Sequence, residues 1–140
     1  MRLLVDTNVY LELFLKRERY NIVKKFFSLA LYGHNQTVVT AMSLRDIGYI
    51  AQKYIHNIDD VKRLQVKVYG MTSKVVSTSA DAAIGSLYSD TKDYEDSLQI
   101  IAAEEAMCDA IVTFNKKDFV NSNTPIFTPE EMCDLLILDK

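Results

Sequence analysis

The chain reads as an α/β protein built on a mainly parallel sheet with helices on both faces. Three observations predict this. Short β-rich runs alternate with longer helical ones from end to end. The β runs RLLV, TVVT, KVVS and AIVT are almost wholly apolar, the mark of strands covered on both sides. No Pro/Gly/Ser-rich linker breaks the alternation and no repeat is visible, so a single domain over residues 1–140 is expected.

The first strand covers residues 2–5 and stops at Asp6. Residues 7–16 and 20–32 form helices. In the second, Ile22, Phe26, Leu29 and Ala30 share one face at helical spacing, with Gly33 as the C-cap. A second strand follows at 37–40. Ser43 then opens a helix over 44–55 with Leu44, Ile47, Ile50 and Ala51 turned inward. Residues 59–71 continue helically, 74–77 form a third strand, and 80–89 and 94–107 form helices. A fourth strand spans 110–113 and a short fifth 125–127. Thr128 followed by Pro129 is an N-cap with Pro at the first helical position, starting a last helix that runs to about Leu138. Met42, Met71 and Met107, with Phe14, Phe26, Phe27 and Tyr32, read as core.

Composition removes several function classes. Two cysteines, Cys108 and Cys133, form no CxxC pair, so thiolate metal sites and disulfide frameworks are not expected, which fits a reducing cytoplasm. Two distant histidines, His34 and His56, cannot supply a three-His zinc site. The four glycines stand alone, and no phosphate-cradling glycine motif can be written. In MRLLVDTN, Asp6 stands where a signal peptide would need its apolar run, so none is expected, and the apolar stretches are far shorter than a membrane span. The net charge of −3 hides an asymmetry. Residues 1–70 carry 11 basic and 6 acidic side chains, or +5, and residues 71–140 carry 5 basic and 13 acidic, or −8. Such a split points to a charged ligand.

In parallel α/β sheets ligands sit beyond the carboxyl ends of the strands. Here those positions are acidic or polar. VDTN supplies Asp6, Thr7 and Asn8; SLRDIG supplies Asp46; TFNKKDF supplies Thr113, Asn115 and Asp118; DYEDSLQ supplies Asp93 and Asp96. Gathering Asp6, Asp46, Asp96 and Asp118 at one sheet edge is costly unless a cation neutralises them. All-oxygen ligands select Mg²⁺ or Mn²⁺ over zinc. Such an ion suits phosphodiester hydrolysis. Each acid also has a structural reading. Asp6 can N-cap the first helix, Asp46 stands at capping-box spacing from Ser43, Asp93 is the natural N-cap of the helix carrying Asp96, and Asp118 can cap a turn before Phe119. Lys16, Arg17, Arg19, Lys24 and Lys25 are candidate phosphate contacts, or a solvated helix face. Tyr10, Tyr20 and Tyr94 flank the site elements and are candidate base-stacking residues.

The ordered set LLVDTNV, VVTAMSLRDI, DYEDSLQIIAAEEAMCDAIVTFNKKDF and IFTPEE resembles the PIN-domain nuclease family, in particular its compact bacterial branch of VapC-type toxins. The resemblance implies a three-layer α/β/α sandwich with a central four- to five-stranded, mainly parallel sheet. It implies a Mg²⁺- or Mn²⁺-dependent endonuclease acting on RNA, frequent homodimers and, in the toxin branch, a cognate antitoxin that blocks the site. The family's first acid falls on Asp6, its third on Asp96 and its last on Asp118, with Asn115 as a polar neighbour. Its second acid is usually Glu, and Asp46, one methylene shorter, stands in the matching place. The expected roles follow. Asp6, Asp96 and Asp118 hold the metal, Asp46 supports a second ion or the attacking water, and Asn8, Asp93, Thr113 and Asn115 are accessory.

Two other readings fit part of the pattern. One is a catalytically degenerate PIN-like domain that binds RNA or a protein partner. The other is a haloacid-dehalogenase-like phosphatase with Asp6 as nucleophile. The second lacks a carboxylate two residues on, where Asn8 stands, and lacks a later Asp-Asp pair after a strand.

Overall fold

The computed structural model describes residues 1–90 and 93–139. Five parallel strands form one sheet in the order β3-β2-β1-β4-β5. They are β1 Arg2–Val5, β2 Gln36–Thr40, β3 Lys74–Val76, β4 Ala110–Val112 and β5 Ile126–Phe127. Leu3 stands opposite Thr37 on one side and Ala110 on the other, so β1 is central. The chain builds outward from β1 to β3, then restarts on the other side with β4. The order therefore reverses between β1 and β4, and the crevice at their carboxyl ends is where such sheets bind ligands.

Alternation along the strands sorts the core into two layers. Leu3, Val5, Val39, Ala110 and Val112 join the larger cluster, with Val9, Tyr10, Phe26, Ile47, Leu64 and Met132 from α1 Thr7–Phe14, α2 Tyr20–Tyr32, α3 Ala41–Ala51, α4 Ile58–Met71 and α7 Pro129–Leu138. Leu4, Val38 and Ile111 face the other way, onto Ile100 and Ala103 of α6 Tyr94–Glu105 and onto Phe119. The short α5 Ala80–Ser86 packs on α6. The result is the expected three-layer α/β/α sandwich. Cys108 and Cys133 are free thiols. Among the described residues no helix is long and apolar enough to cross a membrane.

Element ends differ from expectation where capping chemistry decides them. The second strand runs directly into α3, and Thr40, not Ser43, caps that helix by accepting from the Ser43 backbone N–H at 3.0 Å. The capping-box reading of Asp46 therefore falls. α1 ends at Phe14 because the chain turns through a left-handed Lys16, φ 49°. The last helix starts as predicted, with a capping box between Thr128 and Glu131 and Pro129 at its first position. Gly33 caps α2 at φ −82°, whereas the left-handed residue is the next one, His34, φ 59°. Gly33 is instead needed for close approach, since a Cβ there would stand 2.9 Å from the Leu29 carbonyl oxygen. Two residues read as core lie in solvent. Tyr32 sits in the last turn of α2, and Met107 is 78% exposed just past α6.

Met107 occupies the left-handed position of a Schellman turn. Cys108 N–H donates to the Ala103 carbonyl at 2.9 Å and Met107 N–H to the Glu104 carbonyl at 3.1 Å, with Met107 at φ 54°. A side chain there costs about 1–2 kcal/mol, and glycine's extra backbone entropy offsets part of the relief. Met107→Gly is expected to stabilise the fold by about 0.5–1 kcal/mol. A higher urea midpoint at unchanged m-value checks it.

Candidate active site

Asp6 leaves β1 at the β1/β4 crevice and turns into α1, where its own backbone is extended and its carboxylate accepts from the Thr7 N–H at 2.8 Å. It is the helix N-cap and more. Thr113, the first residue after β4, donates its hydroxyl to Asp6 Oδ2 at 2.9 Å, and the Gln99 amide donates to Oδ1 at 3.3 Å. Only 3% of Asp6 is exposed. Burial raises its pKa, and the Thr113, Gln99 and Thr7 donors only partly oppose it. The fold thus holds a carboxylate where its charge is unwelcome.

A second acid faces it from α6. Asp93 caps that helix, accepting from the backbone N–H groups of Glu95 at 2.9 Å and Asp96 at 3.3 Å. The cap sets Asp96 in the first turn, 8% exposed. Its pKa is pushed up to about 7, first by burial, then by the charges of Asp6, Asp93, Glu95 and Asp118. The small residues Ser97, Ala102 and Ala103, all buried, let α6 lie close on the sheet.

The remaining predicted acids stand further out. Asp118 lies on a short 3₁₀ turn, Lys116–Asp118, exposed, and lines an outer cleft with Asp90, Asp93 and Lys117. Its charge bears on Asp96. Asp46 is half-buried and held by the Arg45 guanidinium at 2.7 Å. Its charge bears on Glu95. On the other flank, Asn8 and Asn115 line a depression with Arg17, Arg19, Phe114 and two acids, Glu12 and Glu18. The Arg19 guanidinium lies 4.5 Å from the centre of the Phe114 ring. Lys16 is exposed in the turn beside Arg17. Lys24 instead borders a groove with Leu13 and Met71, and the charge of Lys25 bears on Cys133 of α7. Tyr10 is fully buried with its hydroxyl 3.4 Å from Thr72 Oγ1, so it cannot stack a base. Tyr20 is half-buried near the Lys24 ammonium, and Tyr94 is half exposed.

Two site residues, Gln99 and Glu95, are not marked out by the sequence pattern. Gln99 bridges Asp6 to Ser43, donating to Ser43 Oγ at 2.7 Å. Thr7 Oγ1 lies 2.9 Å from Ser43 Oγ and 3.2 Å from Glu95 Oε1. Burial and the charges of Asp6 and Asp46 raise the Glu95 pKa. The available signal was Gln99 itself, an amide inside the otherwise apolar run LQIIAA, four residues after Glu95 and so on the same helix face.

The donors at this edge are all oxygen. Among the described residues no three acids or His/Cys side chains stand as a ready-made ligand group. Mg²⁺ does not require one. It binds through one or two carboxylates and takes its other oxygens from water and phosphate. The donor chemistry and the mutual repulsion of Asp6, Asp93, Glu95 and Asp96 fit a hard divalent cation.

Fold and site together define a three-layer α/β/α protein with a carboxylate-lined cleft at the switch point of a parallel sheet. Within that class the chain belongs to the PIN domain family, which it matches over residues 2–117. Two solved structures share its fold. The FitAB complex bound to an IR36 DNA fragment has a TM-score of 0.69 at 13% identity, over 91% of this chain and 94% of that one. VapBC2 from Rickettsia felis, bound to a DNA fragment from their promoter, has a TM-score of 0.64 at 14% identity, over 91% and 98%. No curated protein matches the sequence.

Proposed function

We propose that this protein is a Mg²⁺- or Mn²⁺-dependent endoribonuclease, the toxin of a type II toxin–antitoxin pair, acting in the cytoplasm as a homodimer. The observation that carries the reading is the placing of Asp6 and Asp96 together at the switch point, two buried carboxylates of which the first raises the proton affinity of the second. In this reading Asp6, Asp96 and Asp118 hold the metal. When bound, such an ion neutralises charge on the phosphate and makes water a better nucleophile at neutral pH. The chain does the rest. Thr113, Gln99 and the Thr7 N–H hold Asp6 in one orientation. Asp93 fixes the α6 N-terminus that carries Asp96. Asp46, with Glu95, supports a second ion or orients the attacking water. Asn8, Asn115, Arg17 and Arg19 take phosphate oxygens on the flank. An antitoxin partner is supported by the FitAB and VapBC2 structures, both captured on DNA.

The test is Mg²⁺-dependent cleavage of single-stranded RNA by the purified protein. Wild type should cut, Asp6→Asn should be slower by roughly 10³-fold, and EDTA should stop both. Wild type that binds RNA but cuts no faster than Asp6→Asn identifies the binding-only, degenerate reading instead.

The flank has its own expected result. Each phosphate contact contributes about 0.7 to the log–log salt dependence of binding to a single strand. The double variant Arg17→Ala, Arg19→Ala should lower that slope by about 1.4. Lys24→Ala with Lys25→Ala should leave it unchanged, because Lys24 borders a different groove, with Leu13 and Met71, and Lys25 lies toward Cys133 of α7. Fluorescence anisotropy against KCl concentration separates the two.

A further inference from the structure

We propose that the cleft between α3 and α6 seats an unpaired RNA base next to the cut phosphate, with Tyr49 and Tyr94 as its stacking residues. This deepens the nuclease reading and rests on it. The cleft has a volume of about 450 Å³. Ile50 and Leu98 give it an apolar floor. Tyr49 stands on the α3 side and Tyr94 on the α6 side, 59% and 50% exposed. Two large rings left in water beside an apolar floor need an occupant with a flat apolar face. The walls carry both signs. Arg45 lines the cleft paired with Asp46 at 2.7 Å, Glu95 lines it too, and the Lys53 ammonium lies 5.2 Å from the centre of the Tyr49 ring. The occupant is set instead by place, because the cleft opens beside Asp6 and a strand brought to the carboxylates leaves a base within reach of the two rings.

The inner wall fixes where the base sits along the strand. It includes Gln99 and Ser43, and the Gln99 amide that lines the cleft also donates to Asp6. A base held here is separated from Asp6 by one side chain, Gln99, and lies beside Asp46 and Glu95. Stacking tolerates every base, so the cleft sets a preference by ring size and stacking strength rather than a strict sequence.

The experiment uses a labelled 12-nucleotide single-stranded RNA of mixed sequence with the full-length protein. Binding is read in EDTA by anisotropy, and cut positions are mapped in Mg²⁺. Tyr49→Ala and Tyr94→Ala should each bind about tenfold more weakly and redistribute the cut positions. Tyr→Phe at either site should restore both readouts. An abasic nucleotide beside the cut should erase the difference between wild type and the alanine variants. Alanine variants with wild-type affinity and wild-type cut positions overturn the base-seating proposal, while continued loss of cutting in Asp6→Asn leaves the nuclease reading standing. Wild type that binds but never cuts, with binding lost in the alanine variants, overturns the nuclease reading and keeps the base seat. Wild type without RNA affinity overturns both. Alanine variants that keep RNA affinity but release a co-expressed partner protein make the cleft a protein site and overturn the proposal.

Discussion

Asp96→Asn is expected to abolish RNA cleavage while raising the thermal midpoint of the metal-free protein. The activity side follows from removing a carboxylate beside Asp6, a loss on the order of 10³-fold. The stability side follows from the sign of the pKa shift. Asp96 is pushed up to about 7 from an ordinary 3.8, so the folded protein binds its proton more tightly than the unfolded chain does. Stability therefore falls as pH rises through that window, and above it the ionised side chain bears the full penalty. One pKa unit corresponds to about 1.4 kcal/mol, and water on the open side of the cleft reduces the total to about 2 kcal/mol. Asparagine loses the favourable interaction of a charge with the α6 N-terminus, worth about 0.3–1 kcal/mol. The net gain is about 1 kcal/mol, or about 3 °C. Calorimetry in EDTA at pH 8 should show it, and at pH 4 most of the difference should be gone, because wild-type Asp96 is then protonated in the folded protein and only about half ionised in the unfolded chain. A variant that melts lower than wild type at pH 8 would remove the case that repulsion is concentrated here.

The fold was legible because its signal is local. Four apolar runs alternating with helical ones dictate a parallel sheet, and IFTPEE carries its own capping chemistry in Thr128, Pro129 and Glu131. The anchoring acids were legible for a related reason, since Asp6 directly follows a strand and Asp93 and Asp96 open a helix. What sequence order could not supply is which polar side chain reaches across the crevice. Gln99 is 93 residues from Asp6, and Ser43 is 56 from Gln99. Ser43 looked like a cap because Ser is a good one, but Thr40 stands three residues earlier at the strand end and takes that role, which leaves Ser43 inside the network. Among the five cations, only geometry separates Arg17 and Arg19, turned to the Asn8–Asn115 flank, from Lys24 and Lys25 one turn further along α2. Tyr10 is buried and not a base-stacking residue, because adjacency to the site in sequence says nothing about which face of α1 it occupies.

Thr113→Val should damage the protein twice. Thr113 is fully buried, donates to Asp6 Oδ2 at 2.9 Å and accepts from the Asn115 N–H at 3.0 Å. Valine keeps the shape and removes both bonds. A buried carboxylate oxygen and a backbone N–H then lose a partner, at about 1–3 kcal/mol for such a group. A fall of about 2–3 kcal/mol in stability is expected, because the neighbouring cleft lets water replace part of what is lost. Cleavage should drop by roughly 10–100-fold, the usual cost of losing a group that orients a metal-binding side chain. Gln99→Leu offers an internal control on the same carboxylate. Its bond to Asp6 is longer, 3.3 Å, and Thr113 counts for more than Gln99 in holding the Asp6 proton affinity down. Gln99→Leu should therefore cost less cleavage than Thr113→Val, while Thr113→Ser, which keeps the hydroxyl, should cost least. The two single variants and their double variant form a cycle on one carboxylate. Non-additive losses of cleavage are expected, because once Asp6 has swung from its place the second donor has nothing left to hold. Additive losses would mean that Thr113 and Gln99 act on different groups, and Asp6 would no longer be the residue they position.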